Sequence, residues 1–473
     1  MIRTVSIRDL VARQFFRGEL NRYDIFVRYL AIEEYYGKND FGFRLYKKMQ
    51  DKRIAEGYGE KAVEKFIELI KSYEIRGYDK SSAVQVGCNL ALWDGSHRIA
   101  MGLYNNLQNI TIEIHQEPTF YDFKIDWFLK NDFSREEVKL IIDKADEVLE
   151  KNQIKFTGFL WGAAVPFSDE IFKDIEIFGE VKDIEKFSFK SRELYNHMQK
   201  IIYSADDIAP VKVDIKSEFL YPYDPEFIFF HFKPKKFYDH WRVKGMSGLP
   251  MSCAVERVKS VVREKYKNKI DKYFHDIIIH VCDNQFQSDF CDSVCFPDIN
   301  LKTFLQEISP YKYVLLGMRG NETPYMPENF PDEIPVGKDV DILVMPEDYD
   351  LITETAKKFS EQYKNNYEII LIDEKYKTRI RFHKSERLIL QLDIAKELKN
   401  CTDEFVTDSI KMREKSSDYY VLSAFYEYIC RYQKWMENSK KSWHLKYLLN
   451  HAKDFDEKLA EKYGNFKDCL KIE

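Results

Sequence analysis

The stretch GKDVDILV, residues 337–344, predicts a buried strand that carries two aspartates. Side chains alternate between the two faces of a strand, so Asp339 and Asp341 present two carboxylates on one face. We expect this strand to organise the carboxyl-terminal part of the chain. The apolar residues of the stretch bury the other face and anchor the strand: Val340, Ile342 and Leu343.

A third carboxylate, Asp393, lies in LILQLDIA, residues 388–395, a second predicted strand. Phosphoryl and nucleotidyl transfer commonly uses two divalent ions, and carboxylates that lie close together hold them. Asp339, Asp341 and Asp393 together therefore predict a divalent-metal site. The alternative is a buried strand whose aspartates cap or pair with loop groups, because Asp-x-Asp alone is common.

The segments around these strands follow the order helix, strand, long Pro-rich loop, Asp-x-Asp strand, helix and strands. This order resembles the nucleotidyltransferase (polymerase-β-like) superfamily over about residues 300–400. The resemblance implies that Asp339 and Asp341 bind Mg²⁺, while Asp393 orients the metals and activates the attacking hydroxyl. Gly317, in VLLGMRGN, takes the place of the family's Gly-Ser turn.

Two features of the 317–339 segment depart from that family. Met318 follows Gly317 where the family has a small residue, and the loop that leads to Asp339 is longer than usual. Arg319 could compensate by pairing with phosphate, as in the choline-phosphate transferase (LicD/fukutin-like) branch that this segment distantly resembles. A catalytically inactive, substrate-binding version of the fold stays open.

A second motif, LWDGSHRIAMGL at residues 92–103, lies between a predicted strand and a predicted helix. Gly95 allows a tight turn, and the unpaired N–H groups of the helix start suit a phosphate. The competing interpretation is an ordinary helix cap before a surface His-Arg pair. We predict five phosphate-binding residues here: Asp94, Gly95, Ser96, His97 and Arg98.

This turn resembles the Asp-Gly-x-His-Arg signature of the ParB/sulfiredoxin-like fold, over residues 1 to about 115. The resemblance implies nucleotide binding, with ATP or CTP as the co-substrate, and is nearest to the free-serine-kinase type. An upstream glutamate of that type activates the substrate hydroxyl, and of Glu33 and Glu34 we choose Glu33. A solvated helix face is the ordinary role for either residue. Arg22 and Arg28 could reach phosphate or form surface salt bridges.

The remaining patterns divide the chain into four segments with an α/β and α+β multidomain fold. These segments are a ParB-like domain at 1–118, a mixed α/β region at 119–297, a nucleotidyltransferase-like domain at 298–405 and a helical tail at 406–473. Ser134 and Glu137 form a predicted capping box at the start of a helix in the second segment.

Composition narrows the class of protein. The chain has 473 residues, with 73 Lys and Arg against 79 Asp and Glu, and this balance argues against a nucleic-acid partner. Its apolar segments are interrupted by charges, so we expect neither a membrane span nor a signal peptide. The scattered cysteines fit a reducing, cytoplasmic location.

Together the motifs predict a bifunctional phosphotransfer enzyme. Its amino-terminal part would be an ATP-dependent kinase of a small hydroxylated metabolite. Its carboxyl-terminal part would be an Mg²⁺-dependent nucleotidyltransferase that uses a nucleoside triphosphate, in a pathway such as the activation of a head group for a surface polysaccharide. The alternative is a nucleotide-gated, ParB-like regulatory protein with an inactive nucleotidyltransferase fold. The acceptor and the oligomeric state stay open.

Overall fold

The computed structural model describes residues 1–16, 19–206, 208–235, 241–244, 249–274, 276–318, 325–398, 401–437 and 442–463. The fold is mixed α/β, with several sheets and many helices. The chain forms two units. One contains Met1–Ser188 and Asp206–Asp289, and the other contains Phe189–Ala205 and Phe290–Glu473.

The amino-terminal part of the first unit is a small sheet flanked by helices. Its strands pair in the order β1-β6-β4-β5, with β4 and β6 parallel and the other pairs antiparallel. The elements are β1 Ile2–Ser6, α1 Ile7–Ala12, β2 Phe15–Phe16, β3 Glu19–Leu20, α2 Asp24–Tyr35, α3 Gly42–Arg53, α4 Tyr58–Arg76, β4 Val84–Val86, β5 Leu92–Asp94, α5 Ser96–Tyr104 and β6 Asn109–Ile114.

The chain continues through a second group of helices and strands. Strands of this group form an antiparallel sheet in the order β12-β7-β9-β8. The elements are α6 Ile125–Lys130, α7 Arg135–Lys151, β7 Phe156–Trp161, α8 Ser168–Glu176, β8 Gly179–Ser188, α9 Arg192–Ser204, α10 Pro210–Leu220, β9 Glu226–Pro234, β10 Trp241–Lys244, β11 Leu249–Ser252, α11 Cys253–Tyr266, β12 Ile279–Val281 and α12 Gln285–Cys295.

Helix α2 is the centre of the first unit's amino-terminal core. It is buried from Asp24 to Ile32, because α3, α5 and α7 all pack against it. Helix α7 presents Val138 and Ile141 to this core, and its predicted capping box is confirmed. A division of the chain after residue 118 would therefore cut through one shared core.

The second unit is built on a seven-stranded sheet within the described residues. The strand order is β15-β16-β17-β14-β13-β19-β18, with β14/β17 and β13/β19 parallel. The elements that follow α12 are α13 Leu301–Glu307, β13 Tyr313–Leu315, β14 Lys338–Val344, α14 Tyr349–Glu361, β15 Glu368–Asp373, β16 Lys377–Lys384, β17 Arg387–Ala395, α15 Asp403–Lys411, β18 Glu414–Ser416, β19 Tyr419–Val421, α16 Ala424–Glu437 and α17 Ser442–Tyr463.

The carboxyl-terminal segment differs from the predicted helical tail. Strands β18 and β19 interrupt the helices and extend the main sheet. The exposed residues of β18 are charged, and β19 is only three residues long, so periodicity does not distinguish them from a helix end.

Strand β14 is buried on both faces apart from its first residues. Leu343 follows Asp341 by two residues and so lies on the same face of the strand, where it joins a core with α15 and α16. The expectation that Leu343 lies on the face opposite the aspartates is therefore wrong. In the described part of the chain, no helix combines the length and apolar composition that a membrane span requires.

Candidate functional site

The register of two parallel strands brings the predicted aspartates together. Asp341 of β14 lies directly opposite Asp393 of β17, and Asp339 precedes Asp341 by two residues on the same face. One carboxylate oxygen from each of the three lies within 4.8 Å of the others. We call Asp339, Asp341 and Asp393 the carboxylate triad.

The carboxylate triad lines an open cleft of about 640 Å³. Asp339 is exposed, Asp341 is half-buried and Asp393 is buried, so the three form a gradient from the mouth of the cleft to its floor. Glu374 and Glu397 also line the cleft. A ligand can therefore reach the triad from solvent.

Cations on two elements flank the triad. Lys434 of α16 lies with its Nζ 2.9 Å from Asp341 Oδ2. Lys377 of β16 pairs with Asp393, and Arg379 Nε lies 3.6 Å from Asp393 Oδ1. These contacts place positive charge around the triad.

The local environment changes the protonation of two of these groups. Burial raises the pKa of Asp393, and the Lys377 ammonium opposes that shift. Gln391 Nε2 donates to Asp393 Oδ1 at 2.9 Å. Partial burial disfavours the charge of Lys434, but the Asp341 carboxylate raises the pKa of Lys434 above its usual value.

The donor set of the triad fits a hard divalent cation. Mg²⁺ prefers oxygen ligands, and two or three carboxylates at this spacing supply them. Among the described lining residues, five carboxylates face three cations, which leaves a negative excess. Among the described residues Asp339 has no ion-pair partner, and its exposed position leaves room for water or phosphate oxygens.

Gly317 is already engaged by a carboxylate. It follows β13 with φ +74°, and its N–H donates to Glu427 Oε2 at 3.2 Å. Glu427 is buried and pairs with Arg431 at 2.7 Å. A carboxylate therefore holds the amide that the resemblance assigns to phosphate. Arg319, the other predicted phosphate residue of this turn, lies outside the described residues.

The predicted turn of the first unit joins β5 to α5. Asp94 is exposed, and Gly95 takes φ +111° as the N-cap residue of α5, with no side-chain cap among the described residues. The Ser96 hydroxyl accepts from Arg22 at 2.7 Å. Arg98 donates to the Ala83 carbonyl at 3.0 Å.

His97 faces aromatic groups. Its Nε2 lies 2.7 Å from the Tyr46 hydroxyl, and its ring contacts Phe66 with centroids 4.6 Å apart. Burial, with the nearby Arg28 charge, holds the pKa of His97 well below its usual value. The imidazole is therefore neutral and offers hydrogen bonds rather than positive charge.

A buried ion cluster beside this turn was not recognised in the sequence. Asp24 pairs with Arg22 at 2.8 Å and with Arg28 at 2.9 Å, and all three side chains are buried. Although burial opposes it, the two guanidinium groups hold the pKa of Asp24 well below its usual range. The interpretation of Arg22 and Arg28 as partners in surface salt bridges is therefore wrong, because both side chains are buried. The i,i+4 spacing of Asp24 and Arg28 on an apolar helix was the signal available.

The structure does not bring Glu33 to the turn. Its carboxylate accepts from Lys144 of α7 at 3.0 Å. Glu33 lies nine residues beyond Asp24 in α2, which is about 14 Å along the helix axis. Glu34 instead accepts from the Phe43 backbone N–H. Asp24 is the carboxylate linked to the turn, through Arg22 and Ser96.

No protein-family model, no curated protein and no solved structure matches this chain. The two family resemblances therefore rest on the motifs quoted above.

Proposed function

We propose that the second unit is an Mg²⁺-dependent transferase that moves a nucleotidyl group from a nucleoside triphosphate to a small hydroxylated metabolite. The observation that carries the proposal is the carboxylate triad, whose oxygens lie within 4.8 Å of one another in an open cleft. Convergent carboxylates of this kind hold divalent ions in phosphate chemistry.

Each flanking group has a role in this proposal. Asp339 and Asp341 would hold Mg²⁺, which when bound supplies a positive charge that offsets the charge of the phosphates. Lys377, Arg379 and Lys434 extend that positive charge along the walls of the cleft, where they can pair with phosphate oxygens.

Asp393 would accept the proton of the attacking hydroxyl while the hydroxyl oxygen bonds to the α-phosphorus and pyrophosphate leaves. Its pKa is raised by burial, so its carboxylate holds a proton more strongly than an exposed aspartate does. Gln391 orients it through the 2.9 Å hydrogen bond to Oδ1. Asp393 is thus a positioned base at the floor of the cleft.

The structure gives less support to the predicted kinase activity of the first unit than to the transferase activity of the second. The start of α5 has no side-chain cap among the described residues, which leaves the N–H groups of its first turn for an anion. Glu33 pairs with Lys144 away from that turn, so the proposal assigns it no catalytic role. The polysaccharide pathway stays a prediction.

A second candidate function is a non-catalytic binding protein, and one observation favours it. Lys377 and Lys434 already pair with Asp393 and Asp341. Because these ammonium groups neutralise two of the three carboxylates, the cluster could be stable without any metal ion. Metal binding therefore separates the two candidates.

The test combines metal binding with group transfer. The full chain is titrated with Mn²⁺ and followed by electron paramagnetic resonance. It is also incubated with α-labelled ATP or CTP, Mg²⁺ and pools of amino alcohols, hydroxy-amino acids and sugars. We expect Mn²⁺ binding and label transfer in the natural chain, and loss of both in Asp341→Asn.

The matched control is Asp350→Asn, which changes an exposed aspartate of α14 that does not line the cleft. This variant should keep both properties. Transfer that persists in Asp341→Asn would show that the triad is not the reaction site. A natural chain that binds no Mn²⁺ and transfers no label supports the non-catalytic candidate.

A further inference from the structure

We propose that the first unit binds a small organic anion with an aromatic or apolar body, in a cleft between α3, α4 and the start of α5. This cleft, called the α3–α4 cleft, has a volume of about 370 Å³. The volume suits a ligand of one or two rings, within the usual range of small-molecule sites. The inference concerns a different unit from the proposed transferase and does not depend on it.

The walls of the α3–α4 cleft leave large apolar side chains in solvent. Ile54 is 53% exposed and Leu69 is 39% exposed, and both line the cleft beside the buried ring of Phe66. Covering such side chains with an apolar ligand body removes them from water, which is the main favourable contribution to binding of this kind.

Two cations of the cleft lack acidic partners. Arg53 and Lys65 line it, and neither forms an ion pair with any described residue. Other lysines of α3 do: Lys47 pairs with Glu60, Lys48 with Glu137 and Lys52 with Asp132.

The charge pattern of α3 thus changes at the cleft, and no aspartate or glutamate is among the described residues that line it. Arg53 also lies over the Phe123 ring, 5.6 Å from its centroid, which restricts its guanidinium. This arrangement therefore favours an anion as the ligand.

The inner wall of the cleft supplies directed hydrogen-bonding groups. Gln50 and Tyr46 line this wall, and the Tyr46 hydroxyl lies 2.7 Å from His97 Nε2. All three groups are uncharged: an amide, a phenol and an imidazole that burial keeps neutral. They make the inner wall polar without adding negative charge.

The observations together select the ligand chemistry. Apolar walls with unpaired cations accept a ring that carries a carboxylate or a phosphate, and they disfavour both a neutral ring and a bare inorganic anion. A carboxylate and a phosphate monoester share this chemistry, so the test includes one of each.

The test is isothermal titration of the full chain with phenylacetate, phenyl phosphate, phenylacetamide and inorganic phosphate. We expect at least one of the two ring-bearing anions to bind, and the neutral amide and the bare phosphate to bind at least about tenfold more weakly. In Arg53→Gln/Lys65→Gln, that anion should bind roughly tenfold more weakly, because two charge-assisted contacts are lost.

The matched control is Lys71→Gln, an exposed lysine of α4 that does not line the cleft, and this variant should bind as the natural chain does. Both substituted positions are exposed, and urea unfolding checks that the variants stay folded. Failure of both anions to bind, equal binding of phenylacetamide, or unchanged binding in the double variant overturns the proposal.

Discussion

The two clusters of opposite charge in this protein differ mainly in their access to water. In the first unit Asp24, Arg22 and Arg28 have side-chain exposures of 1–4%. In the second unit the Asp341–Lys434 pair has exposures of 26% and 38% and lines an open cleft. A sealed cluster cannot exchange its partners for a ligand, whereas an open cluster can. Solvent access, rather than the number of charges, therefore distinguishes the candidate site from the buried ion cluster.

The cations of the clusters follow the same division. Rigid, always-charged guanidinium groups hold the sealed cluster. The open cluster is paired mainly through the flexible ammonium groups of Lys377 and Lys434, with the Arg379 guanidinium farther away at 3.6 Å from Asp393. Arg22 also donates to the Leu92 carbonyl and to Ser96, so its fork of donors is used within the fold. Lys434 can swing away from Asp341 because its chain is long and its side chain is partly exposed.

The largest expected effect is the cost of removing the sealed carboxylate. Asp24→Ala leaves two buried guanidinium groups without a counter-charge and should lower the free energy of unfolding by about 5 kcal/mol. Asp341→Ala leaves a Lys434 that water can reach, and should cost no more than about 1 kcal/mol. Urea unfolding followed by circular dichroism measures both.

The control for this pair is Asp143→Asn, which changes an exposed aspartate of α7 and should leave stability within about 0.5 kcal/mol. Equal costs for the Asp24 and Asp341 variants would contradict the contrast between sealed and open clusters.

Asp9 is another buried carboxylate of the first unit, and the pH dependence of stability tests whether burial controls its protonation. Asp9 accepts from the backbone N–H groups of Gln285 and Phe286, and burial raises its pKa to about 7. Unfolded aspartate titrates near about 3.9, so between about pH 4 and pH 7 the folded state keeps a proton that the unfolded state has lost. Stability from this group is therefore lost as pH rises through that window.

Between pH 4 and pH 8, the free energy of unfolding of Asp9→Asn should rise by roughly 4 kcal/mol relative to that of the natural chain, because the amide of the variant does not titrate. Urea unfolding at several pH values measures the difference. A constant difference across the window would show that burial does not hold a proton on Asp9.

The glycines of the two predicted phosphate turns should respond unequally to alanine. At Gly95, with φ +111°, a Cβ would lie 2.9 Å from Val84 Cγ2, so strain and overlap add. At Gly317, with φ +74°, a Cβ meets nothing within 4 Å. We expect Gly95→Ala to cost about 2–3 kcal/mol and Gly317→Ala about 1 kcal/mol in urea unfolding. Equal costs would mean that the β5–α5 turn relaxes freely.

The smallest expected effect is on metal affinity. If the open cluster exchanges its cations, Lys434→Met removes a competitor and should tighten Mn²⁺ binding about tenfold, or about 1.4 kcal/mol. Lys446→Met, at an exposed position of α17, should leave the affinity unchanged. Weaker Mn²⁺ binding in Lys434→Met would show that this lysine supports the site rather than competing for it.

The carboxylate triad could be predicted because its signal is local. The alternation in GKDVDILV places two aspartates on one face, and a second apolar strand with a single aspartate supplies the third. The pairing of Asp341 with Asp393 needed only that the two strands be neighbours. Mixed α/β architecture and the Ser134 capping box were predictable for the same reason.

The first unit shows where the sequence is insufficient. The choice of Glu33 rested on the upstream glutamate that the resemblance to the free-serine-kinase type implies. Which face of α2 meets α5 and which meets α7 depends on tertiary packing, which that resemblance does not give. Lys144, which pairs with Glu33, is 111 residues distant along the chain. The flanking cations Lys377 and Lys434 were missed because nothing near them in sequence distinguishes them from surface lysines.

Strand β19 has a practical consequence for anyone who shortens the chain. It pairs with β13 through Leu315 and Val421, on the side of β13 away from β14. A protein that stops at the predicted boundary after residue 405 would leave the β13 backbone as an open edge, and would strip α16 from the apolar surface beneath it. Exposed edges of this kind recruit other chains. Such a fragment should therefore aggregate, even though all three carboxylates of the triad are present.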